Sequence, residues 1–102
     1  MKVHIFRTLE DQAKGLQYMS PIDPDTLFVF PLSYPGITFH SRNVREPFDL
    51  AFLSKDMVVL QKATIRPEAG TDTAPDGTFM AVESKAGKLA QWGFEPGRRV
   101  SF

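Results

Sequence analysis

The sequence contains no cysteine, which excludes disulfide bonds, thiolate metal sites and thiol catalysis. It also contains no long hydrophobic run, because apolar runs such as residues 27–30 are much too short to cross a bilayer. Only a few apolar residues precede Arg7, far fewer than a signal peptide requires. We therefore expect a soluble, cytoplasmic protein without a membrane partner.

The chain also has no excess of charge of either sign. Twelve basic residues balance twelve acidic ones, so no overall field attracts nucleic acid or an anionic membrane surface. The glycines are isolated and form no phosphate-binding loop. These features predict that the protein has no nucleic-acid partner.

Few residues are available for metal binding or nucleophilic catalysis. With two distant histidines and no cysteine, the sequence lacks a zinc-ligand pattern, and it has no calcium-loop pattern either. His40 and Ser41 are neighbours on a predicted strand, so their side chains point to opposite faces and cannot form a dyad. We expect neither a metal nor a cofactor, and the balance favours a protein that is not an enzyme.

What the sequence does contain is a series of short apolar segments separated by proline and glycine turns. Strands are predicted at residues 3–6, 27–30, 37–42, 48–53, 58–65, 78–83 and 98–102, with a long surface loop at 66–77. Two short α-helices are predicted at about residues 8–14 and 86–92. Thr8 would cap the first, which would pack through Leu9, Ala13 and Leu16. The pattern predicts a single, mainly β domain over residues 1–102, an antiparallel β-barrel or sandwich, which we expect to be a monomer.

Residues 39–53 contain two apolar segments on either side of a charged connection that ends at Pro47. If the two segments pair directly, the register that keeps both faces consistent puts Arg42 opposite Asp49 and Phe39 opposite Phe52. His40, Arg42 and Asp49 would then share one face. That cluster is either a polar site at a groove mouth or an exposed Arg42–Asp49 ion pair worth about 0.2–1 kcal/mol.

Three acidic residues are candidates for acid–base chemistry. Glu46 and Asp49 lie three positions apart beside Arg42 and Arg45, where they would either divide acid and base roles or neutralise the arginines. Glu83 points inward by strand alternation and would then require a partner. It is interpreted either as part of a structural ion pair or as a catalyst.

Several short motifs follow one another along the chain. They are Gly-Leu at 15–16, Leu-Phe-Val-Phe-Pro at 27–31, Arg-Asn at 42–43, Pro-Phe-Asp at 47–49, Val-Glu at 82–83 and Pro-Gly-Arg-Arg-Val at 96–100. In this order the chain resembles the family called domain of unknown function 192 over nearly its whole length. The resemblance implies a small β-barrel-like domain and no established reaction, and many members of that family look exported.

The chain departs from the family pattern at three places. His40-Ser41 stands where the family has Trp-Met, the arginine expected near Met19-Ser20 is absent, and Gly97-Arg98 replaces Gly-Asp. Any family activity that depends on those residues would be missing here. Asn43, Pro47 and Asp49 match.

Three functions follow from these observations. The leading hypothesis is a non-catalytic accessory or binding module, with an aromatic-lined groove for a small acidic ligand or a peptide segment. Its candidate binding residues are His40, Arg42, Asn43, Asp49 and Glu83. The first alternative is a small hydrolase-like enzyme that uses Asp49 or Glu83 beside Arg42, and the second is an assembly partner that uses a barrel edge or the Trp92 surface. A perturbed carboxyl pKa in a concave pocket would favour the enzyme.

Overall fold

The computed structural model describes residues 1–31 and 33–102, and most of its regular structure is β-strand. The strands are β1 (Lys2–Ile5), β2 (Thr26–Phe30), β3 (Thr38–His40), β4 (Phe48–Leu53), β5 (Val59–Ile65), β6 (Thr71–Thr73) and β7 (Met80–Lys85). The helices are α1 (Leu9–Lys14) and α2 (Lys88–Gln91). The predicted mainly β architecture with two short helices is confirmed. Neither helix has the length and apolarity needed to cross a membrane.

Five strands form one mixed sheet in the order β1-β2-β7-β4-β5, and β3 pairs with β6 in a second sheet. Within the described residues β1 and β5 are the outermost strands and do not pair with each other, so the large sheet does not close into a barrel. β1 runs parallel to β2, whereas the prediction was antiparallel throughout. A parallel pair requires a crossover connection, and residues 6–25, which include α1, provide it.

The predicted pairing between the two arms of residues 39–53 is wrong. β4 is hydrogen-bonded to β5 along one edge and to β7 along the other, so neither edge is left for β3. β3 pairs instead with β6, which lies within the segment predicted to be a loop. Phe39 still meets Phe52, but ring to ring from one sheet to the other, with centroids 5.6 Å apart.

Within the large sheet, β2 and β4 are buried on both faces, and strand alternation assigns each side chain to one of them. On β4, Phe48, Leu50 and Phe52 belong to the face covered by β3, which we call the β3 face. Ala51 and Leu53 belong to the opposite face, which packs against Leu89 and Phe94 and which we call the α2 face. Asp49 lies on the same side of β4 as Ala51 and Leu53.

The chain ends and the first helix differ from the predictions. Thr8 caps α1 as expected, because its Oγ1 accepts a hydrogen bond from the Asp11 N–H at 3.0 Å. However, none of the residues of α1 is buried, and of the three predicted packing residues only Leu16, beyond the helix, is buried. At the C-terminus the predicted strand is reduced to a single bridge between Val58 and Arg99. Backbone hydrogen bonds flank this bridge on both sides, from the Val59 N–H to the Arg98 carbonyl oxygen and from the Val100 N–H to the Met57 carbonyl oxygen, each 2.9 Å.

Ser41 joins the β3 segment to the turn before β6. Its side chain is fully buried, and its Oγ accepts a hydrogen bond from the Gly70 N–H at 2.7 Å, while the Ser41 N–H donates to the Gly70 carbonyl oxygen at 3.0 Å. Glycine is required opposite it, because a Cβ at position 70 would lie 2.5 Å from Ile65 Cγ2 and 2.8 Å from the Arg66 carbonyl oxygen. Ser41 is therefore a structural residue.

We expect Ser41→Ala to lower the free energy of unfolding by about 1–3 kcal/mol, because the buried Gly70 N–H loses its side-chain acceptor. Urea unfolding of the variant, compared with the exposed control Ser101→Ala, measures this effect. Equal stability of the two variants would show that water replaces the lost acceptor at no cost.

Candidate functional site

A pocket of about 550 Å³ opens between α1 and the β3 face of the large sheet. We call it the aromatic pocket, because three of its lining residues are phenylalanines, Phe30, Phe39 and Phe48. Other lining residues come from α1 and the chain just after it, from residues 33–37, and from β3. The volume lies within the range of pockets that hold small molecules.

Glu83 of β7 also lines the aromatic pocket, and it is the only acidic residue in its lining among the described residues. The strand register places it between Phe28 on β2 and Leu50 on β4, and the residue is 3% exposed. Nothing in residues 1–31 and 33–102 hydrogen-bonds to its carboxyl, and burial raises the pKa of that carboxyl to about 8. At neutral pH the side chain is therefore mostly protonated and neutral.

Asp49, by contrast, lies on the α2 face and outside the aromatic pocket. Its Oδ2 accepts a hydrogen bond from the Gly87 N–H at 2.8 Å, and its Oδ1 accepts one from Thr64 Oγ1 at 2.8 Å. The carboxylate thus holds the residue before α2 against the sheet. The prediction that Asp49 shares a face with His40 and Arg42 is wrong, because the pairing that it assumed does not form.

Arg42 and Asn43 also lie outside the pocket lining. Arg42 is exposed, and its backbone N–H donates to His40 Nδ1 at 3.2 Å. Asn43 has a positive φ of 62° and fastens the chain after α1, since its Nδ2 donates to Gln17 Oε1 at 3.0 Å and its carbonyl accepts the Tyr18 N–H. The described residues contain no Arg42–Asp49 ion pair.

His40 lines the aromatic pocket and is exposed to solvent. Of the five predicted binding residues, the structure therefore brings only His40 and Glu83 together in one pocket. The aromatic wall was expected near Phe39 and Phe48, and both contribute to it. The part of the wall formed by α1, Phe30 and Tyr34 was not predicted. The helix lies over the sheet because it belongs to the crossover between β1 and β2, and that crossover was not predicted either.

Glu46 neutralises a lysine, not an arginine as we had expected. Its Oε1 accepts a hydrogen bond from Lys85 Nζ at 3.1 Å, and its Oε2 accepts bonds from the Ile22 N–H at 3.1 Å and from Ser20 Oγ at 3.3 Å. The carboxylate thereby holds the connector before β2 against β7. Glu46 and Asp49 do not form a pair of acids, because their hydrogen bonds lead to different parts of the fold.

Among the described residues, no group of three or more metal-ligating side chains converges in a way that could hold a metal ion. The chemistry that the pocket offers is that of three phenylalanine rings and a tyrosine, a mostly neutral buried carboxyl, and the exposed side chains of Lys14 and His40.

The family model of DUF192, described as an uncharacterized ACR, matches residues 1–102. The chain belongs to the DUF192 family. The resemblance drawn from the motifs is thereby confirmed, and the family description assigns no reaction. No curated protein matches this DUF192 chain.

Two solved structures are similar to this DUF192 protein. One is a protein of unknown function from Novosphingobium aromaticivorans DSM 12444, with 28% identity and a TM-score of 0.83 over 98% of this chain and 74% of that one. The other, from Sinorhizobium meliloti 1021, is described as a candidate transcription regulator. It has 20% identity and a TM-score of 0.81 over 95% of this chain and 78% of that one, which establishes a shared fold alone.

Proposed function

We propose that this DUF192 domain is a non-catalytic binding module that takes up a small, mainly apolar ligand in the aromatic pocket. The observation that supports this most directly is a concave, phenylalanine-walled pocket that contains one buried polar group, the Glu83 carboxyl. Ligand sites in proteins have this composition, an apolar lining with a few placed polar groups. The Phe39 ring packs edge-on against the Phe30 ring in this wall, with the ring centroids 5.2 Å apart.

The type of ligand follows in part from which charged residues reach the pocket. An acidic ligand was expected on the basis of Arg42, which lies outside the lining. Lys14 and His40 still provide basic groups there, and both are exposed. A peptide segment remains the other proposed occupant, since the exposed Tyr34 belongs to the pocket lining.

A second candidate function, acid catalysis by Glu83, is favoured by one specific observation. Glu83 has a carboxyl with a raised pKa in a concave pocket, which is the property that we expect of an enzyme's catalytic acid. The hydrolase hypothesis uses Asp49 or Glu83 beside Arg42, and neither Arg42 nor Asp49 lines the pocket. We therefore place binding first. Hydrolysis of ester and glycoside substrates that is lost in Glu83→Gln would reverse that order.

The proposal is tested by filling the pocket. Ala13 is an exposed residue of α1 in the pocket lining, so Ala13→Trp should place an indole in the cavity without disturbing the core. We expect fragments with an apolar body to raise the melting temperature of the wild type. They should bind Ala13→Trp at least about tenfold more weakly, a loss of about 1.4 kcal/mol.

The matched control is Ala90→Trp, an equivalent change at an exposed position of α2 on the far side of the sheet. We expect this variant to bind fragments like the wild type. If no fragment binds the wild type, or if Ala13→Trp binds as well as Ala90→Trp, the aromatic pocket is not a ligand site. Attention would then move to the remaining hypothesis, an assembly partner.

Four further proposals accompany this one. The packing of Phe39 on Phe52 supports a sandwich-like arrangement of the two sheets. The balanced charge supports a protein that acts without nucleic acid. We also propose that it acts as a monomer. Finally, we propose that it acts in the cytoplasm, which fractionation of cells expressing the native gene would test.

A further inference from the structure

Among the acidic side chains of the described residues that point inward, Glu83 is the one whose carboxyl accepts no hydrogen bond. Asp72 Oδ2 is also buried without a partner, but Asp72 Oδ1 accepts bonds from Gln61 Nε2 and from the Thr73 N–H. The carboxylate of Asp49 has donors on both oxygens, and the carboxylate of Glu46 has three donors in all. The Glu83 carboxyl has none from the described residues, although the residue is only 3% exposed. Buried polar groups nearly always have a partner, so an unpaired one at the wall of a cavity indicates a partner that comes from outside the chain.

The surroundings of Glu83 indicate what that partner is. The Phe30 and Phe48 rings belong to β2 and β4, the two strands that flank β7, and they line the same pocket as the carboxyl. Aromatic faces carry negative charge density that attracts cations, and a carboxyl adds a counter-ion. An anionic ligand group placed here would face the negative charge density of the rings, and it would be repelled by Glu83 whenever that carboxyl is ionised.

We infer that the aromatic pocket binds an organic cation, an ammonium or guanidinium group on an apolar body, with the Glu83 carboxyl as its counter-ion. The inference rests on the proposed binding function and specifies the ligand class. The apolar body would lie against Phe30, Phe39 and Phe48, and the cationic group would point inward to the sheet.

The other charged or titratable groups near Glu83 are few. Lys14 of α1, Tyr34 and His40 of β3 line the pocket with it. On its own strand Lys85 is bound to Glu46, and on β1 His4 packs edge-on against Phe28. Lys14, Tyr34 and His40 are exposed, so solvent and salt screen them more than they screen a cation placed against Glu83.

Binding of such a cation is coupled to a proton. The carboxyl is mostly neutral in the empty pocket at neutral pH, because burial raises its pKa to about 8. A ligand that arrives as a cation favours the carboxylate, so Glu83 releases its proton when the complex forms. Affinity for a cation should therefore rise between pH 6 and pH 8, by about tenfold or more.

Three probes with one indole body test the inference: tryptamine, tryptophol and indole-3-acetate, which carry an ammonium, a hydroxyl and a carboxylate. Titrations of the wild type followed by NMR or calorimetry at pH 6 and pH 8 give the affinities. We expect tryptamine to bind tightest and to gain about tenfold or more from pH 6 to pH 8. In Glu83→Gln, tryptamine should bind no better than tryptophol, with no such pH dependence.

The outcomes separate the two proposals. If tryptophol or indole-3-acetate binds the wild type as tightly as tryptamine does at pH 8, the pocket is a ligand site but does not select cations. The same holds if Glu83→Gln keeps the preference for tryptamine. If none of the three probes binds and the fragment screen finds no ligand either, both the cation inference and the binding function fail.

Discussion

Glu83→Gln is expected to stabilise the protein, and the gain is expected to grow from pH 5 to pH 8. The carboxyl has a pKa of about 8 in the folded protein, above the value of 4.5 for a free side chain. At a pH between these two pKa values, the unfolded chain has lost the Glu83 proton that the folded chain keeps. Stability therefore falls as pH rises through this window and levels off above pH 8. Glutamine has a similar shape and does not ionise.

The size of the effect follows from the same linkage. A pKa shift of this size lowers the free energy of unfolding of the wild type by a few kcal/mol at pH 8, since one pKa unit is about 1.4 kcal/mol. Each kcal/mol changes the melting temperature of a domain of this length by about 4–8 °C. Melting curves of Glu83→Gln and wild type at pH 5 and pH 8 measure the gain, and the exposed Glu10→Gln is the matched control.

Two results would contradict this picture of Glu83. A gain that stays constant with pH would mean that the carboxyl titrates normally, so its surroundings would not be apolar. A loss of stability in Glu83→Gln at pH 8 would mean that the ionised form has a partner in the folded protein. Either result would also remove the physical basis of the cation inference.

The sequence predicts much of the fold because strand positions depend on local pattern. Residues 27–30 and 48–53 were expected as strands from their apolar runs, and both are buried strands. The segments predicted as strands at 48–53 and 58–65 are joined by a turn at Ser54–Met57, which connects β4 to β5. What local pattern does not specify is which edges pair. That depends on the competition between β3, β5 and β7 for β4, which is a property of the whole sheet.

The candidate site was predicted only in part for the same reason. The inward orientation of Glu83 follows from alternation within one strand, and it is observed. The placement of Asp49 depended on the assumed partner strand, so one wrong pairing moved it to the wrong neighbours. The pocket wall formed by α1 could not be predicted without knowing that β1 and β2 are parallel and joined by a crossover. No motif in residues 6–25 indicates that crossover.

Asp49→Ala is expected to have the second large effect, a loss of about 3 kcal/mol of stability. Removal of the carboxylate leaves the Gly87 N–H and the Thr64 hydroxyl without their acceptor beneath α2. The aspartate of the family motif Pro-Phe-Asp would then serve to position residues 86–91 and not to bind a ligand. Chemical denaturation measures the loss, and Asp49→Asn should recover part of it because one amide oxygen still accepts.

Arg42→Ala provides the comparison, because Arg42 is exposed and contributes only a backbone hydrogen bond to His40. We expect this variant to unfold like the wild type, within about 0.5 kcal/mol. If Asp49 and Arg42 acted together, as direct pairing of their segments would require, the two variants would lose similar stability and the double variant would lose less than their sum. Additive losses of stability, large for Asp49→Ala and near zero for Arg42→Ala, would show that Asp49 stabilises the attachment of α2. Glu83 would then be the acid that faces a ligand.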